Sequence, residues 1–532
     1  MKKFLFVLLL SLSVAHQALA ALDPVLVKQL AAEDSDEKIA AIQKLVQGAD
    51  PSALKILKAM NEEALFANDE QVFLKDGEKA IDAASGAELL PMPADADSIT
   101  INNRVRSELA GAMATLKLFD PDRGLRLAAA RELATSLANE PDPGMAPLLL
   151  KAQTQESDTR VRTLLTQAHA LTTLKDADPA IRSAAAHALA GSGDPNVKNL
   201  LFALMQKANE PDMNVRISAV RAYYDVKQRI ELSETIGRIF SGLSLGSILL
   251  LAALGLAITY GVMGVINMAH GELLMVGAYS AYFVQGVFRA YLPGFFDWYL
   301  LAAVPVAFFS AAAVGVLLER TVIRWLYGRP LETLLATWGL SLMLIQAARL
   351  LFGAQNVSVA NPSWMSGGIE LIPGFLLPLN RVVIIGFALF VLALVWALMN
   401  RTRLGLFVRA VTQNRAMAGC VGVPTAKIDT VAFALGAGIA GLGGVALSQI
   451  ANVGPDMGQG YIVDSFMVVV LGGVGQLAGA VWAALGLGVV TKFLEGWAGA
   501  VVAKIVVLAF IIVFIQKRPQ GLFALKGRFV ES

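Results

Sequence analysis

From about residue 238 to 516 the chain is a succession of long uncharged runs separated by short charged clusters, and no soluble fold accommodates apolar side chains at that density. The bounding charges delimit Ile239 to Ala269, Leu273 to Phe288, Trp298 to Leu318, Thr333 to Ala348, Val382 to Asn400, Val431 to Pro455, Ser465 to Thr491 and Ile505 to Gln516. Most approach the ~20 residues a bilayer-spanning helix needs. The expected fold is all-α, a polytopic membrane helix bundle with seven to nine crossings. The count stays open at Gly472-Gly-Val-Gly-Gln-Leu-Ala-Gly479, because the seventh run is either one long helix or two short crossings around a Gly-rich break. Broken helices inside a membrane are tolerated only against protein or a water-filled path. This break is therefore a transport-path candidate.

The first half is a different kind of sequence. Residues 21 to about 235 are polar, charged and Ala-rich, so the overall 56% hydrophobic content averages two unlike halves. A net charge of +2 gives no reason to expect a nucleic-acid partner. Lys2 and Lys3, the apolar stretch Phe4 to Val14 and Ala18-Leu19-Ala20 read as a secretory signal cleaved after Ala20. The alternative, an uncleaved anchor, is short for a span, and under either reading the segment beyond it is exported. A single Cys420 supplies no disulfide, and His16, His169, His187 and His270 show no metal-ligand spacing. The implied boundaries are a signal at 1–20, an exported domain at 21–235, a transmembrane domain at 236–518 and a cytoplasmic tail at 519–532.

Within the exported domain one signature recurs: an acid, two variable residues, a branched apolar residue, then arginine. It occurs at Asp122–Arg126, Asp158–Arg162, Asp178–Arg182 and Asp212–Arg216. Each copy opens an apolar-periodic stretch, and aspartate is a strong helix N-cap. The spacing suggests paired helices stacked as a HEAT-like α-solenoid, with Asp36-Glu-Lys-Ile a degenerate first copy. Between residues 66 and 104 the alternation in Gln71-Val-Phe-Leu and Ser98-Ile-Thr-Ile predicts a small β insertion, with a loop at Pro91–Pro93. Nothing there carries catalytic chemistry, and binding or scaffolding is the expected role.

Orientation is set by loop charges. An exported N-terminal domain places Arg320, Arg324 and Arg329 inside and the nearly basic-free stretch 350–380 outside. Arg401, Arg403, Arg409, Arg415, Lys427, Lys517, Arg518, Lys526 and Arg528 then fall inside. Gly436-Ala-Gly-Ile-Ala-Gly441 matches a dinucleotide fingerprint, with Asp456 at the expected offset. No soluble strand precedes it, and glycines in the middle of an apolar run serve close helix packing instead.

Polar side chains inside a membrane either line a path or pack against one another. Ile266-Asn-Met-Ala-His-Gly-Glu272 ends the first run with such a cluster, which reads equally as path-lining or as a turn capping the next helix. Thr337 and Trp338 in the fourth run and Asp464 and Ser465 opening the seventh are further candidates, with interfacial anchoring the plainer alternative. Residues 400–428 form a basic loop whose Leu406, Val408, Val411, Met417 and Val421 recur at helical spacing, as if facing a partner.

The stretches Asn267–Glu272, Arg401–Val423, Gly472–Ala480 and Arg518-Pro-Gln-Gly-Leu-Phe523 resemble the permease subunits of branched-chain amino acid (LivH-type) ABC importers. The exported extension, Ile101-Asn-Asn-Arg104 and Gly454-Pro-Asp-Met457 resemble the UrtB-type permeases of urea importers. The resemblance implies a transport subunit rather than an enzyme, in a bacterial inner membrane. It also implies a second permease, two cytoplasmic ATP-binding subunits and a periplasmic binding protein as partners. No cofactor is expected on this chain; ATP and Mg would belong to the partners, and no GxxxxGK[ST] loop occurs here. Gly405, Arg409, Ala410, Asn414 and Gly422 would couple to the ATPase. The substrate path would draw on Asn267, His270, Glu272, Thr337, Trp338, Asp464, Ser465 and Gln476. Urea or a short amide is the implied cargo, and the alternatives are a branched-chain amino acid permease and a stand-alone secondary transporter or channel.

Overall fold

The computed structural model describes residues 23–523, apart from 33, 49–50, 69–70, 77–78, 90–92, 94–95 and 373–374. The signal segment, Pro91, Lys526 and Arg528 lie outside the described residues. The chain forms two compact units, Met1–Glu231 and Leu232–Ser532.

The N-terminal unit opens with α1 (Pro24–Gln29), α2 (Ser35–Gly48) and α3 (Pro51–Asn61). A five-stranded antiparallel sheet comes next, with β1 (Leu65–Ala67), β2 (Val72–Asp76), β3 (Lys79–Asp82), β4 (Glu88–Leu89) and β5 (Asp97–Ser98) in the order β4-β3-β2-β1-β5. The alternating stretches are thus a sheet larger than a hairpin, because β1 pairs on both edges, Phe66 with Phe73 of β2 and with Ser98 of β5. Then come α4 (Asn103–Leu116), α5 (Arg123–Asn139), α6 (Ala146–Gln155), α7 (Thr159–Thr173), α8 (Pro179–Ala188) and α9 (Pro195–Leu204).

The repeated signature explains these helix starts. Asp122, Asp158 and Asp178 are N-caps whose carboxylates accept backbone N–H bonds from Gly124, Arg160 and Ala180. The branched residue begins the buried face, as with Val161 and Val215 at 0% exposure. The closing arginine has a use the pattern did not reveal. Arg126 and Arg182 reach back to the carbonyls of Asp120 and Asp176, at 2.9 and 2.7 Å, and across to Glu156 and Glu210, at 2.8 and 2.7 Å. Those guanidiniums hold the Glu156 and Glu210 carboxyls below the usual range, and Arg123 lowers Asp158 to about 2. A variant copy that ends in lysine, Asp194-Pro-Asn-Val-Lys198, caps α9 in the same way. That unmarked copy accounts for part of the uneven spacing.

The boundary between the units falls within α10 (Met213–Met263). The C-terminal unit continues with α11 (His270–Tyr291), α12 (Tyr299–Thr321) and α13 (Pro330–Phe352). A two-stranded ribbon, β6 (Gly368–Ile372) and β7 (Phe375–Pro378), precedes α14 (Leu379–Arg401), α15 (Arg403–Gln413) and α16 (Arg415–Cys420). The last helices are α17 (Thr425–Ser448), α18 (Met457–Gly472), α19 (Leu477–Ala498) and α20 (Ala500–Lys517). Seven helices among the described residues are long and apolar enough to cross a membrane. Two more lie in the bundle: α11, whose 22 residues include His270 and Glu272, and the shorter apolar α18. The seventh apolar run is two helices, since Gly473 and Gly475 take φ of +99° and +76° and end α18 before α19 begins. Small residues hold the centre together. A Cβ built on Gly277 would lie 2.1 Å from Gly441 O, and one on Gly436 2.6 Å from Gly255 O. The fingerprint-like glycines of α17 are therefore helix-packing positions.

Candidate functional site

The site grows from a break between α10 and α11. Helix α10 ends at Met263, Gly264 takes a left-handed φ of +64°, and the chain folds back along the helix it has just left. Six residues later His270 Nε2 lies 3.0 Å from the carbonyl of Ala252. Ala252 is eleven residues before the helix end, about 16 Å back along its axis. Helix α11 therefore starts deep inside the bundle. Asn267 caps the turn by accepting the Ala269 N–H at 3.0 Å, and Thr337 Oγ1 of α13 accepts the Met268 N–H at 3.1 Å. One turn along α13, Ser341 donates to Glu272 Oε1 at 2.9 Å.

These bonds leave specific atoms over. Asn267 Nδ2, His270 Nδ1 and Glu272 Oε2 are buried and without a protein partner, a state that costs about 1–3 kcal/mol for each group. Such a cost persists where a ligand or a movement uses the atoms. Glu272 Oε2 lies against the first turn of α18: a Cβ on Gly458 would come within 2.8 Å of it, and one on Gly271 within 2.4 Å of Gly458 O. An unpartnered donor, imidazole nitrogen and carboxylate oxygen thus lie within six residues of the break, with His270 facing α10 and Glu272 facing α13 and the start of α18.

Not every predicted residue joins that cluster. Asn267, His270, Glu272 and Thr337 do, each at most 1% exposed. Trp338, the next residue on α13, turns to the bundle exterior. Ser465 is buried and donates to its own helix, to Tyr461 O at 2.7 Å. Asp464 faces a cavity of ~230 Å³ away from that cluster, where it pairs with Lys504 at 3.7 Å beside the Lys492–Glu495 pair. Lys492, Glu495 and Lys504 served in the sequence only as the ends of apolar runs. The three-residue spacing of Lys492 and Glu495, with Lys504 following beyond Gly499, was the available signal. Ser341 was also missed, although its spacing of four from Thr337 places both on one helix face.

Gln476, at the start of α19, lines a second cavity of ~560 Å³ together with Asn400, Arg409 and Thr412. This cavity borders α15, whose Gly405 packs where a Cβ would be 2.1 Å from Met399 O. Arg409 donates to the same Met399 carbonyl at 2.7 Å. Ala410 is half-buried on the same helix, Asn414 caps α16 by accepting the Met417 N–H at 2.9 Å, and Gly422 takes φ +86° in the turn after α16. The apolar residues of this segment divide into two sets. Val408 and Val411 are buried against the bundle, whereas Leu406, Met417 and Val421 are 57–74% exposed. Only the second set is free to meet a partner; the first set seats an amphipathic helix on its own bundle.

Comparison with known proteins agrees with this architecture. A family model described as branched-chain amino acid transport system / permease component matches residues 238–515. The LivH permease of the high-affinity branched-chain amino acid transport system of Salmonella typhimurium is 30% identical over 292 residues, covering 54% of this chain and 94% of that protein. The BraD permease of Pseudomonas aeruginosa is 27% identical over 298 residues, 55% of this chain and 96% of that protein. The ribose import permease RbsC of Escherichia coli is 27% identical over 135 residues, 23% of this chain and 42% of that protein. No solved structure matches. The family match lies entirely within the C-terminal unit, and the chain belongs to the branched-chain amino acid transport system permease family.

Proposed function

We propose that this chain is one permease of an ATP-driven importer for urea or short amides. It works by alternating access with a second permease, two cytoplasmic ATP-binding subunits and an external binding protein. The observation that carries the cargo reading is the set of unpartnered buried atoms at the α10–α11 break. Glu272 Oε2 accepts, Asn267 Nδ2 donates, and His270 Nδ1 accepts, because Nε2 carries the proton given to the Ala252 carbonyl. A neutral molecule with N–H donors around one carbonyl offers the partners that these atoms lack. A free amino acid brings a carboxylate, which would sit beside the Glu272 carboxyl at the helix terminus that this group already faces. The family's name favours the second reading, a branched-chain amino acid cargo. Competition separates the two: the assembled importer accumulates labelled urea undiminished by excess leucine under the first reading, and labelled leucine but no urea under the second.

The exposed Leu406, Met417 and Val421 of the α15–α16 segment, rimmed by Arg403, Arg409 and Arg415, form the docking surface for an ATP-binding subunit. That assignment puts this segment and the C-terminus in the cytoplasm and the N-terminal unit outside, as the loop charges favour. The N-terminal unit, read as a HEAT-like scaffold, is accessory: a chain lacking it transports at the normal rate once assembled.

A further inference from the structure

Between the docking segment and the α10–α11 break lies a buried polar network that neither role accounts for. At one end Arg415, the first residue of α16, grips both carboxylate oxygens of Asp429, the fifth residue of α17, whose side chain is 1% exposed. The same guanidinium lies 5.3 Å over the ring of Tyr327, in the connection before α13. The Tyr327 hydroxyl donates to Glu319 Oε1 at 3.0 Å, and Thr430 Oγ1 donates to Glu319 Oε2 at 2.9 Å. Glu319 is 1% exposed, and its neighbour Arg320 donates to Thr430 Oγ1 at 3.2 Å. At the far end the Tyr327 hydroxyl lies 3.1 Å from the sulfur of Met263, the last residue of α10. The next residue is the left-handed Gly264, where the chain folds back toward Asn267.

We infer that Arg415, Asp429, Tyr327 and Glu319 form the link that carries movement of the α15–α16 segment to the Met263–Gly264 turn and so to the buried site. This rests on the proposed reading of that segment as the ATPase dock. Two buried carboxylates satisfied by residues from separate chain segments make those segments move as one body, since separating any member strands a charge away from water. The exposed Met417 and Val421 flank Arg415 on the dock side. The Gly264–Ala269 strap, which presents Asn267 and starts α11, hangs from the other end. A push at the dock therefore reaches the strap without passing through the apolar core.

The test is the ratio of substrate moved to ATP hydrolysed, measured together in vesicles holding the assembled importer. Tyr327→Phe keeps the ring and its contact with Arg415 and removes only the hydroxyl. The expected result is continued ATP hydrolysis with the ratio lowered at least ~5-fold, the lower end of ordinary coupling between sites. Arg415→Asp lowers the ratio likewise, and combining it with Asp429→Arg, which restores the pair in reverse, recovers part of it. An unchanged ratio in Tyr327→Phe, or hydrolysis and uptake falling in step, overturns the inference by making the network merely structural. Wild-type uptake that needs no ATP overturns the importer reading, and this inference with it. ATP-driven wild-type uptake with unaltered variants overturns this inference alone.

Discussion

A methyl group added at Gly444 tests the packing that places the buried site. The Cβ would sit 1.9 Å from Leu274 O and 2.8 Å from Ala278 N, both backbone atoms of α11. Ordinary contact at a Cβ begins near 3.4 Å, so α17 and α11 would have to separate by more than an ångström. No rotamer relieves backbone. The same displacement would open the Gly277–Gly441 contact, where a Cβ would already meet Gly441 O at 2.1 Å. Overpacking of this kind costs about 1–3 kcal/mol, while alanine in place of a helical glycine recovers up to ~1 kcal/mol. Gly286 supplies the control, since it lies on α11 with nothing within 4 Å of a built Cβ. Gly286→Ala keeps the propensity gain and meets no clash. Gly444→Ala should therefore be less stable than Gly286→Ala by about 1–3 kcal/mol. In detergent, with unfolding followed by intrinsic tryptophan fluorescence, that difference lowers the apparent melting temperature by roughly 2 °C or more. Gly444→Ala melting at or above Gly286→Ala would refute the close crossing of α11 and α17.

Three further outcomes are expected. Arg126→Ala strands the buried Glu156 carboxylate and should destabilise the N-terminal unit by about 3 kcal/mol in urea titrations, whereas Arg160→Ala, at an exposed position on α7, should not. Because Glu156 and Glu210 are held below the usual carboxyl range, their contribution is fully present above the unfolded value of ~4.3 and is lost as pH falls through the depressed folded values. Melting of the N-terminal unit should therefore hold steady from neutral pH to about 5 and fall below it; a decline starting near neutrality would contradict the pairing. At the break, Asn267→Ala and Glu272→Gln should each weaken apparent cargo affinity ~10-fold or more, with ATP hydrolysis by the assembly retained.

The alternation of charge and apolar runs made the membrane bundle legible, since no soluble packing competes with it. The aspartate caps were legible for a similar reason: a cap is a local device, written within three residues of the helix it starts. What could not be read was depth. Asn267–Glu272 looked equally like a capping turn or a path, because the choice depends on Ala252 and Thr337, 18 residues before His270 and 69 beyond Met268. Val408 and Val411 shared the period of Leu406 and Met417 but not their face, since an amphipathic helix lying on a bundle buries one side only. Trp338 sat beside Thr337 in sequence and points the other way, as neighbours on a helix do. The Arg415–Asp429–Tyr327–Glu319 network joins residues up to about a hundred positions apart, and its Arg415 looked like an ordinary loop charge by itself.

Whether this permease works only as part of an ATP-driven assembly is the central question. The most direct measurement is accumulation of labelled urea in vesicles that hold the chain with its second permease, ATP-binding subunits and binding protein, compared with vesicles that hold the chain alone. Uptake that requires ATP in the first and is absent from the second is the predicted result. Gradient-driven uptake by the chain alone, indifferent to ATP, would contradict it.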